Sequence, residues 1–126
     1  MAKTEKRRKS SRLPKQIEAA VRAAEDKKAI DLAVLDLKEA AGFPDYFVIC
    51  SGTNPRQIRT IADAVTESLA AVGVKPAHVE GYAQSEWILL DYFDFIVHVF
   101  APETRTFYSL ERLWGNAERI EVAAGR

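Results

Sequence analysis

The run Tyr46–Cys50 (YFVIC) is continuously apolar, and this constrains the fold more than any other feature of the sequence. Successive side chains of a strand point to opposite faces, so such a run reads as a strand covered on both sides. It passes through Ser51-Gly52-Thr53 into the clearest helical signal in the chain. Asn54 stands at the N-cap, Pro55 at the first helical position and Gln57 where a capping box places its glutamine. Ile58, Ile61, Val65, Leu69 and Val72 then recur at helical spacing on one stripe, and Gly73 supplies a C′ terminator. A doubly covered strand feeding an amphipathic helix requires an α/β fold.

The flanking segments extend this pattern. Ile17, Ala20, Val21 and Ala24 lie on one face of a first helix, with Pro14 in its opening turn and Ser11 as its cap. Asp31–Leu37 reads as a strand, followed by a turn around Gly42, Pro44 and Asp45. A short strand is expected near His78–Glu80. Glu86–Asp91 and Phe95–Phe100 are separated only by Tyr92-Phe93-Asp94, and so short a link predicts an antiparallel hairpin. Thr104–Trp114 reads as a last helix, with Phe107, Leu110 and Trp114 on one face. The expectation is a single α/β domain over 13–115, built on a mixed sheet of four or five strands flanked by helices. Residues 1–12 are expected to be a disordered basic arm and 116–126 a flexible tail.

The formal net charge of zero conceals an asymmetry. Residues 1–15 carry seven basic side chains against Glu5 alone, leaving eleven basic and seventeen acidic side chains in 16–126. An acidic body suits a basic protein partner, and a basic arm suits phosphate, although charge runs are commonly just solvated. With one cysteine, Cys50, no internal disulfide forms, and a reducing cytoplasm fits. One Cys and two His argue against a structural zinc site, and no apolar stretch approaches the length of a membrane span.

Signals for catalysis are weak. Cys50 precedes a helix N-terminus but reads better as a buried core thiol. Ser51-Gly52-Thr53 lacks the Walker and Rossmann patterns and reads as a capping turn. Asp91 and Asp94 are the one carboxylate pair with metal-binding character, yet their spacing straddles a turn and does not ensure convergence. His98 lies among apolar strand residues with no acid or nucleophile nearby. The chain is therefore read as non-enzymatic, without cofactor or metal. Trp87, Tyr92, Phe93, Tyr108 and Trp114 concentrate in the C-terminal half beside Glu86, Asp91, Asp94 and Glu111. Composition alone leaves open whether these aromatics fill the core or anchor an interface.

Taken in order, several segments resemble the ribosome silencing factor, or Iojap-related, family. They are Asp45–Thr53 (DYFVICSGT), Arg56–Asp63 (RQIRTIAD), Glu80-Gly81, Glu86–Asp91 (EWILLD), Asp94, Ile96–Phe100 (IVHVF), and Tyr108, Leu110, Glu111, Leu113 and Trp114. The match runs from about residue 17 to 114, and it is the ordered set that is specific. Two departures stand out: Phe93 replaces a glycine usual in the family, so its turn must avoid positive φ or accept strain. The basic arm has no counterpart in the minimal pattern.

The resemblance implies a fold like that of nucleotidyltransferases without their catalytic site. It implies a cytoplasmic or organellar protein, here cytoplasmic, that binds ribosomal large-subunit protein fourteen and blocks subunit joining when nutrients are scarce. Homodimer formation when free is also within the family's habit. On this reading Trp87, Tyr108 and Leu110 supply apolar anchoring, Asp91, Asp94 and Glu111 supply charge, and Lys6, Arg7, Arg8, Lys9 and Arg12 reach ribosomal RNA. The alternatives are a ribosome assembly adaptor and a nucleotidyltransferase-type enzyme using Asp91 and Asp94.

Overall fold

In the computed structural model, residues 7–9, 13–40, 43–113, 115 and 117–121 are described. The elements follow as β1 (Arg7–Lys9), α1 (Lys15–Asp26), β2 (Ile30–Asp36), β3 (Tyr46–Ser51), α2 (Pro55–Ala70), β4 (His78–Glu80), β5 (Trp87–Asp91), β6 (Phe95–Phe100), α3 (Pro102–Tyr108), α4 (Leu110–Leu113) and β7 (Glu118–Glu121). Among the described residues the strands form one seven-stranded sheet in the order β1-β7-β2-β3-β6-β5-β4. It is mixed: β3 runs parallel to β6, whereas β2 pairs β3 and β5 pairs β6 in antiparallel fashion.

Every residue of β3 is buried, because the strand lies between β2 and β6 and its two faces enter different cores. Tyr46, Val48 and Cys50 pack under α1 and α2 with Ile17, Val21, Ile58, Ile61, Val65 and Leu69. Phe47 and Ile49 point the other way, into a smaller cluster with Leu35, Leu37, Phe100 and Ala117. The apolar run thus reflects two cores served by one strand.

The start of α2 matches its sequence signal. Asn54 Oδ1 accepts from the Gln57 N–H at 2.8 Å, and Gln57 Oε1 accepts from the Thr53 N–H at 2.6 Å. Gln57 Nε2 also donates to the carbonyls of Lys27 and Lys28 at 3.1 Å, fastening this turn to the end of α1. At the far end Gly73 N–H donates to Ala70 O and Val74 N–H to Leu69 O, the paired bonds of a Schellman ending. Gly73 has φ +83°, a conformation open to glycine without strain. The four residues Ile58, Ile61, Val65 and Leu69 are buried, each contributing about 1.5–3 kcal/mol. Val72 departs from the expected stripe: the helix has ended before it, and it is 66% exposed.

The strand count, the place of Pro14 and the last helix also depart from expectation. The sheet has seven strands rather than four or five, because both chain ends add one. Arg7–Lys9, expected within a disordered arm, pairs in parallel with β7, and β7 itself falls in the expected flexible tail. Local propensity is poor in both segments; the edge of β2 supplies the ladder for β7, and β7 supplies it for β1. Pro14 precedes α1 as its cap residue instead of lying in its first turn, and it makes no side-chain cap bond. Finally, the helix expected over Thr104–Trp114 is broken at Ser109, which takes φ +47° and turns its hydroxyl back to Thr106 O at 2.7 Å. Phe107 and Leu110 therefore belong to two separate helices. Ser11, Gly42 and Trp114 lie outside the described residues.

Candidate docking face

The sheet face opposite α1 and α2 carries Trp87 and Leu89 of β5 beside His98 and Phe100 of β6, with Trp87 opposite Phe100 and Leu89 opposite His98. Trp87 is held from three sides. Its ring stacks on Phe100 at 4.8 Å, meets Tyr108 at 4.7 Å, and its Nε1–H donates to His98 Nδ1 at 3.0 Å. An indole nitrogen only donates, so His98 Nδ1 must be an unprotonated acceptor and the imidazole neutral. Burial agrees: His98 is 3% exposed, and its pKa is pushed down to about 3 by loss of solvation. Phe47 closes the other side of the imidazole, edge-on at 4.5 Å.

The histidine expected to be a passive core residue is therefore the acceptor that fixes Trp87. Its spacing offered no local clue, because β5 and β6 register brings the pair together across eleven residues. Trp87 is half-buried, while Tyr108 at the end of α3 remains 50% exposed. Leu110 is half-buried against the smaller core. Glu111 lies in α4, but its side chain is outside the described residues.

Asp91 and Asp94 sit at the other end of β5. Residues 87, 89 and 91 share one face, and the four-residue step from Trp87 to Asp91 spans about 13 Å. Asp91 Oδ1 accepts from the Phe93 N–H at 2.8 Å. Tyr92 N–H donates to Phe95 O, and Asp94 N–H donates to Tyr92 O, both at 2.9 Å. With φ +77° at Phe93 this is the strained, positive-φ form of the γ-turn. The turn thus accepts strain where a glycine would have had none. Asp94 O in turn accepts from Asp45 N–H at 2.8 Å, tying the hairpin to the entry of β3.

The expected set is divided accordingly. Trp87 and Tyr108 form an aromatic end, with Leu110 packed against the smaller core, and Asp91 and Asp94 form an acidic end. Arg7, Arg8 and Lys9 lie at the opposite edge of the sheet, in β1. Their side chains, and all of Lys6 and Arg12, are outside the described residues. Among the described residues no group of three His, Cys, Asp or Glu is placed to hold a metal ion. The Cys50 thiol is pushed up to about 12 by burial, the reverse of activation. No described helix is long and apolar enough to cross a membrane.

Residues 10–126 match the family model described as ribosomal silencing factor during starvation. The chain belongs to the ribosomal silencing factor family. Its relatives include ribosomal silencing factor RsfS of Halalkalibacterium halodurans, 37% identical over 106 residues that cover 84% of this chain and 91% of that one. The chloroplastic protein Iojap of Zea mays is 33% identical over 104 residues, covering 80% of this chain and 44% of Iojap. A crystal structure of a Chromobacterium violaceum protein superposes with a TM-score of 0.78 at 33% identity, covering 80% of this chain and 84% of the other. The fold expected from the silencing factor resemblance is thus the observed one, apart from its strand count. A regulatory, ribosome-associated silencing role is the family's common description.

Proposed function

We propose that this chain binds the large ribosomal subunit through ribosomal protein fourteen and blocks joining of the small subunit by occlusion, lowering translation in the cytoplasm when nutrients are limiting. No bond is made or broken in this mechanism; the protein acts by the volume it occupies. The observation that carries it is the Trp87–Tyr108 pair. A large aromatic pair on a sheet face, one ring pinned by a buried hydrogen bond and the other half open to solvent, loses little conformational entropy on docking. Leu110 extends the apolar patch, while Asp91, Asp94 and Glu111 complement a basic protein surface. The basic residues Lys6, Arg7, Arg8, Lys9 and Arg12, of which Arg7–Lys9 form β1 at the far edge, would then contact ribosomal RNA, a term visible as salt dependence.

Trp87→Ala and Tyr108→Ala are each expected to weaken binding to isolated large subunits by more than about 1 kcal/mol, or over fivefold. Tyr108→Ala is the cleaner variant because its ring is half exposed, so the fold is spared. Co-sedimentation with purified large subunits measures both. Unchanged binding in folded variants would remove this face from the mechanism.

A further inference from the structure

Two phenylalanines lie on the surface beside the acidic turn. Phe43 is 58% exposed and Phe93 64% exposed, and their rings meet edge-to-face with centroids 5.0 Å apart. Neither ring belongs to either core cluster. Three aspartates lie at this turn. Asp91 accepts the Phe93 N–H, Asp94 is the next residue, and Asp45 N–H is bonded to Asp94 O. Lys38, near the entry of β3, is occupied by Asp36 at 3.3 Å and the Tyr46 hydroxyl at 2.7 Å.

We infer that Phe43 and Phe93, with Asp91 beside them and Asp45 and Asp94 in the same turn region, form a clamp for an arginine side chain of a basic protein partner. The inference rests on the docking reading above and adds to it a second contact, at the other end of β5. An aromatic face attracts a guanidinium through its quadrupole, and adjacent carboxylates take its N–H donors. An exposed apolar pair flanked by charges of one sign is the chemistry of an interface anchor. The same carboxylates disfavour nucleic acid, since phosphate would be brought against three negative charges. They also disfavour a second copy of this chain through the same face, which would oppose like to like. Continuity supports the assignment: Asp91 shares its strand face with Trp87, so one partner surface can reach both ends of β5.

The test titrates isolated ribosomal protein fourteen into the full chain by calorimetry, with wild type, Phe93→Gly and Phe93→Tyr. Glycine suits positive φ, so Phe93→Gly keeps the turn while removing the ring. Far-UV circular dichroism like that of wild type and a Tm no more than about 3 °C below it establish that the fold is retained. The clamp predicts at least about fivefold weaker binding for Phe93→Gly, with Phe93→Tyr close to wild type. Wild-type affinity in Phe93→Gly would overturn the clamp while leaving the docking reading intact. No binding by wild type would remove that reading and the clamp together. Phe93-dependent binding to a ribosomal RNA fragment, or loss of a homodimer in Phe93→Gly by sedimentation, would reassign the pair and overturn the proposal.

Discussion

The buried histidine makes the stability of this protein depend on pH in a calculable way. His98 has a pKa near 3 in the folded chain against an ordinary 6.5, because burial opposes its charged form. A group whose folded pKa is depressed contributes stability that is fully present above the unfolded value and lost as pH falls toward the folded one. Here the unfolded chain takes up a proton below pH 6.5 that the native chain refuses. The resulting loss between pH 7.5 and pH 5 is about 2 kcal/mol, and its slope approaches about 1.4 kcal/mol per pH unit. His98→Gln removes the titration and retains an oxygen that can accept from Trp87 Nε1. Urea unfolding followed by far-UV circular dichroism at pH 7.5, 6 and 5 measures both proteins. Wild type is expected to lose about 2 kcal/mol more than His98→Gln between the extremes. Equal losses would refute the neutral, buried imidazole, and with it the explanation of how Trp87 is held.

Two further outcomes follow from single contacts. Gly81 has φ +81°, and a Cβ there would stand 2.0 Å from Trp87 O, so Gly81→Ala must displace the start of β5. It is expected to cost at least about 2 kcal/mol and to lower Tm by at least about 5 °C in a thermal melt; an unchanged Tm would contradict the close approach. The Cys50 thiol, fully buried and raised from 9.0 to about 12, should react with iodoacetamide at pH 8 at least about a thousandfold more slowly than a free thiol. Labelling that is fast without urea would show that β3 is open to solvent.

Much of this architecture is legible in the sequence because local signals and burial agree. Asn54, Pro55, Gln57 and Gly73 act through bonds to residues within a few positions, so their roles could be read in order along the chain. Tyr46–Cys50 announced a doubly covered strand for a reason intrinsic to strand geometry. The strands at the two ends were hidden because Arg7–Lys9 and Glu118–Glu121 hold their place through each other and through β2, not through their own propensity. The break at Ser109 escaped notice because serine at positive φ carries no strong sequence mark. The candidate docking face was only partly visible. Trp87 and Tyr108 stood out as large aromatics, whereas the link from Trp87 to His98 required the β5–β6 register. The surface partnership of Phe43 and Phe93 joins residues fifty positions apart in the sequence, and the pairing of β3 with β6 and the tie between Asp45 and Asp94 bring them together.

The central claim, that this chain keeps ribosomal subunits apart by occupying the large one, meets its most direct test in a subunit-joining measurement. Separated small and large subunits are mixed with increasing amounts of the purified protein, and joined ribosomes are quantified by sucrose-gradient sedimentation. Occlusion predicts that joined ribosomes fall as the protein saturates free large subunits, that the protein sediments with the large subunit alone, and that Tyr108→Ala shifts the effect to higher concentration. Full joining while the large subunit is saturated with protein would contradict it.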